Sequence, residues 1–119
     1  MSYDIDLTDP ITGSVLELDG KHLMRGGTYQ VGGTTHLSLN VTYNYAKHYY
    51  RVLNGEKGIR VIYGMTGAQS LPVLKKAIDE LDDDTDEDYW KPTEGNAKAA
   101  LLQLHAMAIM RPDGIWGGD

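Results

Sequence analysis

The chain has 119 residues, 41% of them apolar and 24% charged, with a formal net charge of −6 and no cysteine. Such a length and composition suit one globular domain with a core of its own and argue against disorder. The missing cysteine excludes a disulfide framework, a thiolate nucleophile and a cysteine metal site. Seventeen acids against eleven Lys and Arg disfavour generic nucleic-acid binding, which runs on clustered cations.

The opening MSYDIDLTDP carries no apolar leader, and no segment is long and apolar enough to span a bilayer. A cytoplasmic protein without membrane contact is the expectation. Tyr3, Ile5 and Leu7 alternate with Asp4, Asp6 and Thr8, the pattern of a strand with one wet face. Asp9-Pro10 to Gly13 reads as a turn and Val15 to Leu18 as a returning strand. Asp19-Gly20 reads as a second turn and Lys21 to Gly27 as a loop. Thr28 to Val31, Gly32-Gly33 and Thr34 to Val41 read as a second hairpin. These strands predict one antiparallel sheet.

From Leu37 to Leu53 the period changes. Leu37, Leu39 and Val41 alternate with Ser38, Asn40 and Thr42, as in a half-buried strand. Tyr45, Tyr49, Val52 and Leu53 then recur at helical spacing. Asn54 to Gly58 reads as a loop, and Ile59 to Tyr63 fits either a strand or a helical turn. After Gly64-Met65-Thr66-Gly67, Ser70 reads as the cap of a helix with Pro72 in its first turn. Leu71, Leu74, Ile78 and Leu81 form its buried stripe. The acidic run Asp82–Asp88 ends it. Thr93 caps a last helix that runs to about Met110, with Ala97, Ala100, Leu101, Leu104 and Ala108 inward. The turn-rich tail 113–119 carries Trp116, which predicts that it docks back on the body. The expected fold is α+β: an N-terminal antiparallel sheet of hairpins with two or three helices packed on one face.

Few stretches carry chemistry. Asp82, Asp84 and Asp86 have calcium-loop spacing, but neither register supplies the glycine at position six; a solvated loop is the simpler reading. Gly64–Gly67 resembles a nucleic-acid clamp loop but holds no Lys or Arg. The N–H groups before Ser70 could cradle a small anion, with Arg60 supplying charge. His22, His36, His48 and His105 show no compact metal spacing, though His36 and His48 could meet if strand and helix pack. No serine sits in a nucleophile elbow. No metal or cofactor is implied. A cluster of Asn40, Tyr43, Tyr45, His48, Tyr49, Tyr50 and Arg51 remains. Tyr45 and Tyr49 fit the helix core. Asn40, Tyr43, His48, Tyr50 and Arg51, with Arg60, are the candidate binding residues, because Tyr and Arg give rigid contact area with polar handles.

The blocks VTYNYAKHYYRVL, GEKGIRVIYGMTGAQSLPVL, DYWKPTEGNAKAALLQL and RPDGIWGGD resemble a family of small acidic proteins of bacteria, phages and mobile elements. The resemblance implies an accessory protein, for instance one used in counter-defence. It brings no established activity and no catalytic residue.

Three functions are open on these grounds. The first is a non-catalytic binding protein that engages a host protein or sequesters a small anionic, nucleotide-like ligand. The second is a small hydrolase or transferase acting through His36 or His48 with an acid or metal. The third is the structural subunit of a homo-oligomer, with Trp90 and Trp116 as interface anchors.

Overall fold

The alternation at the start of the chain becomes the central strand of the sheet. In the computed structural model, which describes residues 1–22 and 33–119, Ser2–Thr8 is β1. Its inward residues Tyr3, Ile5 and Leu7 are all buried. Strand β4, Ser38–Thr42, pairs antiparallel along one edge of β1, and β5, Ile115–Gly118, along the other. The register sets Tyr3 opposite Val41, Ile5 opposite Leu39 and Leu7 opposite Trp116. Directly opposed residues share a face of a sheet, so these six apolar side chains form one inner surface. The fold is α+β as expected, with three α-helices among the described residues packed behind the N-terminal strands.

Among the described residues the strands form two sheets rather than one. The second pairs β2, Glu17–His22, with β3, Thr34–His36. The predicted strand Thr34–Val41 is therefore broken at Leu37, where the chain bends from one sheet into the other. Three main-chain bonds close a ring at the junction. Leu7 N donates to Leu37 O (2.9 Å), Leu37 N to Leu16 O (2.8 Å) and Leu16 N to Leu7 O (2.9 Å). All three leucines are buried. The predicted hairpin over 3–18 keeps its Asp9–Gly13 turn, closed by Asp9 N to Ser14 O and Gly13 N to Asp9 O, but its strands pair only at the Thr8–Val15 bridge and this junction. Asp19-Gly20 is not a turn but lies within β2, whose irregular register against β3 accommodates it. The predicted strand Thr28–Val31 and most of the Lys21–Gly27 loop lie outside the described residues.

The junction of strand and helix forms as its residues suggest. Thr42 caps a 3-10 turn, Tyr43–Tyr45, by accepting from Asn44 N, and α1, Ala46–Val52, follows. Tyr45 and Tyr49 are core, with their hydroxyls donating to the carbonyls of Tyr89 and Ala97. Ile59–Tyr63 resolves as a second 3-10 turn, Gly58–Ile62.

Helix α2, Gly67–Glu80, starts earlier than predicted. Its cap is Thr66, in a reciprocal capping box with Gln69, which satisfies two end groups at once. Ser70 is inside the helix; its hydroxyl donates to Gly67 O (2.7 Å) and accepts from Trp116 Nε1 (2.8 Å). Pro72 thus sits beyond the first turn, on the exposed side of the helix, where water can satisfy the carbonyl it strands.

Helix α3, Glu94–Met110, has the predicted bounds, and its Thr93 cap accepts from Asn96 N. The acidic run folds over this end. Asp84 Oδ1 accepts from Gly95 N, and buried Asn96 accepts from Asp86 N while donating to the carbonyls of Asp88 and Lys91. A Cβ on Gly95 would lie 2.6 Å from the Asp84 main chain, so glycine is needed for this approach.

Candidate functional site

Antiparallel pairing brings the start of β1 beside the ends of β4 and β5. Tyr3, Tyr43 and Asp119 therefore converge at one end of the sheet, and the 3-10 turn Gly58–Ile62 delivers Arg60 between them. The guanidinium lies 4.8 Å from the centroid of the Tyr3 ring and 5.7 Å from that of Tyr43. The two rings meet edge-on at 4.6 Å. Arg60 Nε donates to the main-chain oxygen of Asp119 (2.8 Å) and Nη2 to the Tyr43 hydroxyl (3.2 Å). Tyr63 donates to the same Asp119 oxygen (3.3 Å). Two bonds and two ring faces hold one cation, so the group is rigid, as a contact surface needs to be.

Further bonds tie this end of the sheet together. Asp119 Oδ1 accepts from Asp4 N, and Asn40 Nδ2 donates to Asp4 Oδ1 (2.6 Å) and Ser2 Oγ (2.7 Å). The Tyr50 ring covers Gly58, which has positive φ and would place a Cβ 3.4 Å from it. Tyr50 is 39% exposed. Close approach also fixes Gly118, where a Cβ would meet the Asp4 carbonyl and lie 2.6 Å from the Tyr63 hydroxyl.

Asn40 points to the other face of the sheet with its neighbours Ser2 and Asp4; of the remaining predicted site residues, Tyr43, Tyr50 and Arg60 are gathered at this end. His48 and Arg51 are not. They lie on another face of α1, where His48 Nε2 donates to the Pro92 carbonyl (2.7 Å) and Arg51 pairs with Glu94 at 3.0 Å. Tyr3, Tyr63 and Asp119 were missed. Tyr3 reads as plain strand core, and nothing local marks Tyr63 or Asp119 as its neighbours.

The other candidates resolve into structure. At the start of α2, Gly67 N and Ala68 N donate to the carbonyls of Gly114 and Pro112, Gln69 N to Thr66 Oγ1 and Ser70 N to Thr66 O. The anion cradle expected there is filled by the chain itself, and Arg60 is directed to Asp119 instead. His36 does not meet His48: it lies 3.5 Å from Glu17 Oε1, with both side chains more than half exposed. Among the described residues no group of three or more His, Asp or Glu is placed to hold a metal ion. Trp116 is core, 1% exposed, and cannot anchor an interface; Trp90 is 42% exposed. Among the described residues no helix is long and apolar enough to cross a membrane. No family model, curated protein or solved structure matches the chain.

Burial pushes the phenols of Tyr45 and Tyr63 up to about 12, and that of Tyr49 well above its usual value. A raised native value means that the folded chain holds these protons more tightly than the unfolded one. The stabilisation is complete below about pH 10, the value of a free phenol, and is lost as pH rises through about 12. Cooperative alkaline unfolding is expected in that window, with the phenolate absorbance of these three tyrosines appearing together with loss of circular dichroism. Ionisation of every tyrosine at about pH 10.5 with the fold intact would contradict this assignment.

Proposed function

We propose that this chain is a non-catalytic binding protein and that its working surface is the tyrosine-lined end of the sheet around Arg60. The observation that carries the reading is the clamped guanidinium between Tyr3 and Tyr43, bordered by Tyr50 and Tyr63. Preformed aromatic and arginine groups are what protein-binding hot spots use. Of the two occupants expected, a protein is favoured over a small anion. Arg60 already donates to Asp119 and Tyr43, and the Asp119 side chain is itself held by Asp4 N. An anion would find a cation already partnered and an acid beside it. A resemblance of the sequence blocks to small acidic phage and mobile-element proteins would suit an accessory factor that engages a host protein.

The test uses Tyr50→Ala, an exposed change that leaves the core intact, with Tyr89→Ala as the control. Wild-type protein immobilised in host lysate is expected to retain a discrete partner. Tyr50→Ala should weaken retention about tenfold, the effect of losing a hot-spot aromatic, and Tyr89→Ala should not. Equal retention by all three proteins would overturn the assignment of the surface. Native mass spectrometry of the protein from its host separates the occupants: an added mass of a few hundred daltons, abolished by Tyr43→Ala, would replace the protein partner with a small ligand.

A further inference from the structure

We propose that Asn54-Gly55 is a self-modification site: the main-chain amide of Gly55 displaces ammonia from the Asn54 side chain, and the isoaspartate that results lengthens the turn carrying Arg60. Of the four asparagines in the chain, three are tied through Nδ2. Asn40 donates to Ser2 and Asp4, Asn44 to the Trp90 carbonyl, and Asn96 to the carbonyls of Asp88 and Lys91. Asn54 is held the other way round. Its Oδ1 accepts from Glu56 N (2.9 Å) and Lys57 N (2.8 Å), while among the described residues its Nδ2 has no acceptor. The group that must leave is free, and the carbonyl that must be attacked is polarised. Two main-chain N–H groups at this distance are what stabilises an oxygen that gains negative charge. The nucleophile is open as well. Gly55 is exposed, a Cβ on it would meet nothing within 4 Å, and among the described residues its N–H makes no hydrogen bond. The other asparagines precede Val41, Tyr45 and Ala97, whose side chains crowd the approach of the amide to Cγ.

Hydroxide takes the Gly55 N–H proton, the nitrogen bonds to Asn54 Cγ, and the Cγ–Nδ2 bond breaks with release of ammonia, leaving a cyclic succinimide. Water then opens one of its two carbonyls. Opening at Cγ gives aspartate in an unaltered chain. Opening at the main-chain carbonyl gives isoaspartate, in which the chain runs through Cβ and Cγ. The two products act differently on the neighbouring site. Aspartate keeps an acceptor for Glu56 N and Lys57 N. Isoaspartate adds a methylene to the main chain just ahead of Gly58, whose N donates to Asn54 O (2.9 Å) and which packs against the Tyr50 ring. Gly58 opens the 3-10 turn Gly58–Ile62 that delivers Arg60, so the longer linkage loosens the clamp on the guanidinium. That regulation rests on Arg60 marking the working surface; the chemistry at Asn54 does not.

The test is peptide mapping by mass spectrometry of the folded protein, held at mildly alkaline pH below the unfolding window of the buried tyrosines. Residue 54 should gain about one dalton at least about tenfold faster than Asn40, Asn44 or Asn96, the scale on which placement of reacting groups changes rates. It should do so no more slowly than a synthetic peptide of residues 53–58. Gly55→Ala has room for its methyl group and should slow the reaction about tenfold or more. A residue 54 that reacts no faster than the other asparagines overturns the proposal, as does Gly55→Ala at the wild-type rate. A folded chain about tenfold slower than the peptide overturns it too, because the turn then shields the amide. Hydrogen exchange reads the consequence without any partner. The isoaspartate form should lose protection at the Gly58 and Arg60 amides, which donate to Asn54 O and Lys57 O, while Asn54→Asp keeps it. Equal protection in both would overturn the link to Arg60 and leave the binding surface itself unaffected.

Discussion

Replacing Trp116 by alanine is expected to destabilise the fold by about 4 kcal/mol, within the range for truncating a buried aromatic. The indole is 1% exposed and faces Leu7 across the β1–β5 ladder. Its Nε1 donates to Ser70 Oγ inside α2 (2.8 Å). One side chain therefore joins the last strand to both the central strand and the second helix. Alanine would leave a large cavity and free β5. Arg60 and Tyr63 would then lose the Asp119 oxygen that they share. Trp116→Phe fills most of the volume and should lose only about 1–3 kcal/mol, chiefly from the orphaned hydroxyl and the smaller ring. Urea denaturation followed by the remaining fluorophore, Trp90, measures both. A loss below about 1 kcal/mol for alanine would mean that the tail is not docked as described.

Leu37→Ala is the second large effect, expected at about 3 kcal/mol. Leu37 is fully buried where the chain passes from β3 to β4, and its main-chain groups bond to Leu16 and Leu7. The substitution keeps those groups but removes the side chain that fills the meeting point of the two sheets. Leu37→Met, close in volume, should remain within about 1.5 kcal/mol of wild type. Hydrogen exchange gives a sharper reading. The amides of Leu7, Leu16 and Leu37 should exchange through a common opening and lose protection together in Leu37→Ala. If Leu16 kept full protection while the other two lost it, the ring of bonds would not be a cooperative unit.

How much of the binding surface was legible varies by residue. Tyr43 and Tyr50 stand out because they lie off the apolar stripe of α1, and Tyr45 and Tyr49 on it are correctly core. His48 and Arg51 looked equivalent to Tyr50 in sequence, yet on a helix they project elsewhere and serve as ties to Pro92 and Glu94. Arg60 was singled out for charge beside the α2 N-terminus, whereas its partners are two tyrosine rings and Asp119. Tyr3 and Asp119 could not have been paired with it, because the bond from Asp4 to Asp119 spans 115 positions, far beyond any local pattern.

What the sequence alone determined was local. Period-two alternation made β1 and β4, and helical spacing with Thr93 as cap made α3. These follow from each residue's own geometry and its neighbours within a turn or two. The tertiary structure decided the rest. It split the sheet at Leu37, started α2 at Thr66 and recruited Ile115–Gly118 as a strand. It also closed Tyr3, Tyr43 and Tyr63 around Arg60. The sheet split, the last strand and the tyrosine cluster share one reason: each is set by hydrogen bonds and packing between segments distant in the chain, and a four-residue strand has too little intrinsic preference to declare itself before those partners arrive. The start of α2 combines a local capping box, Thr66 with Gln69, and distant bonds from Gly67 N and Ala68 N to Gly114 and Pro112.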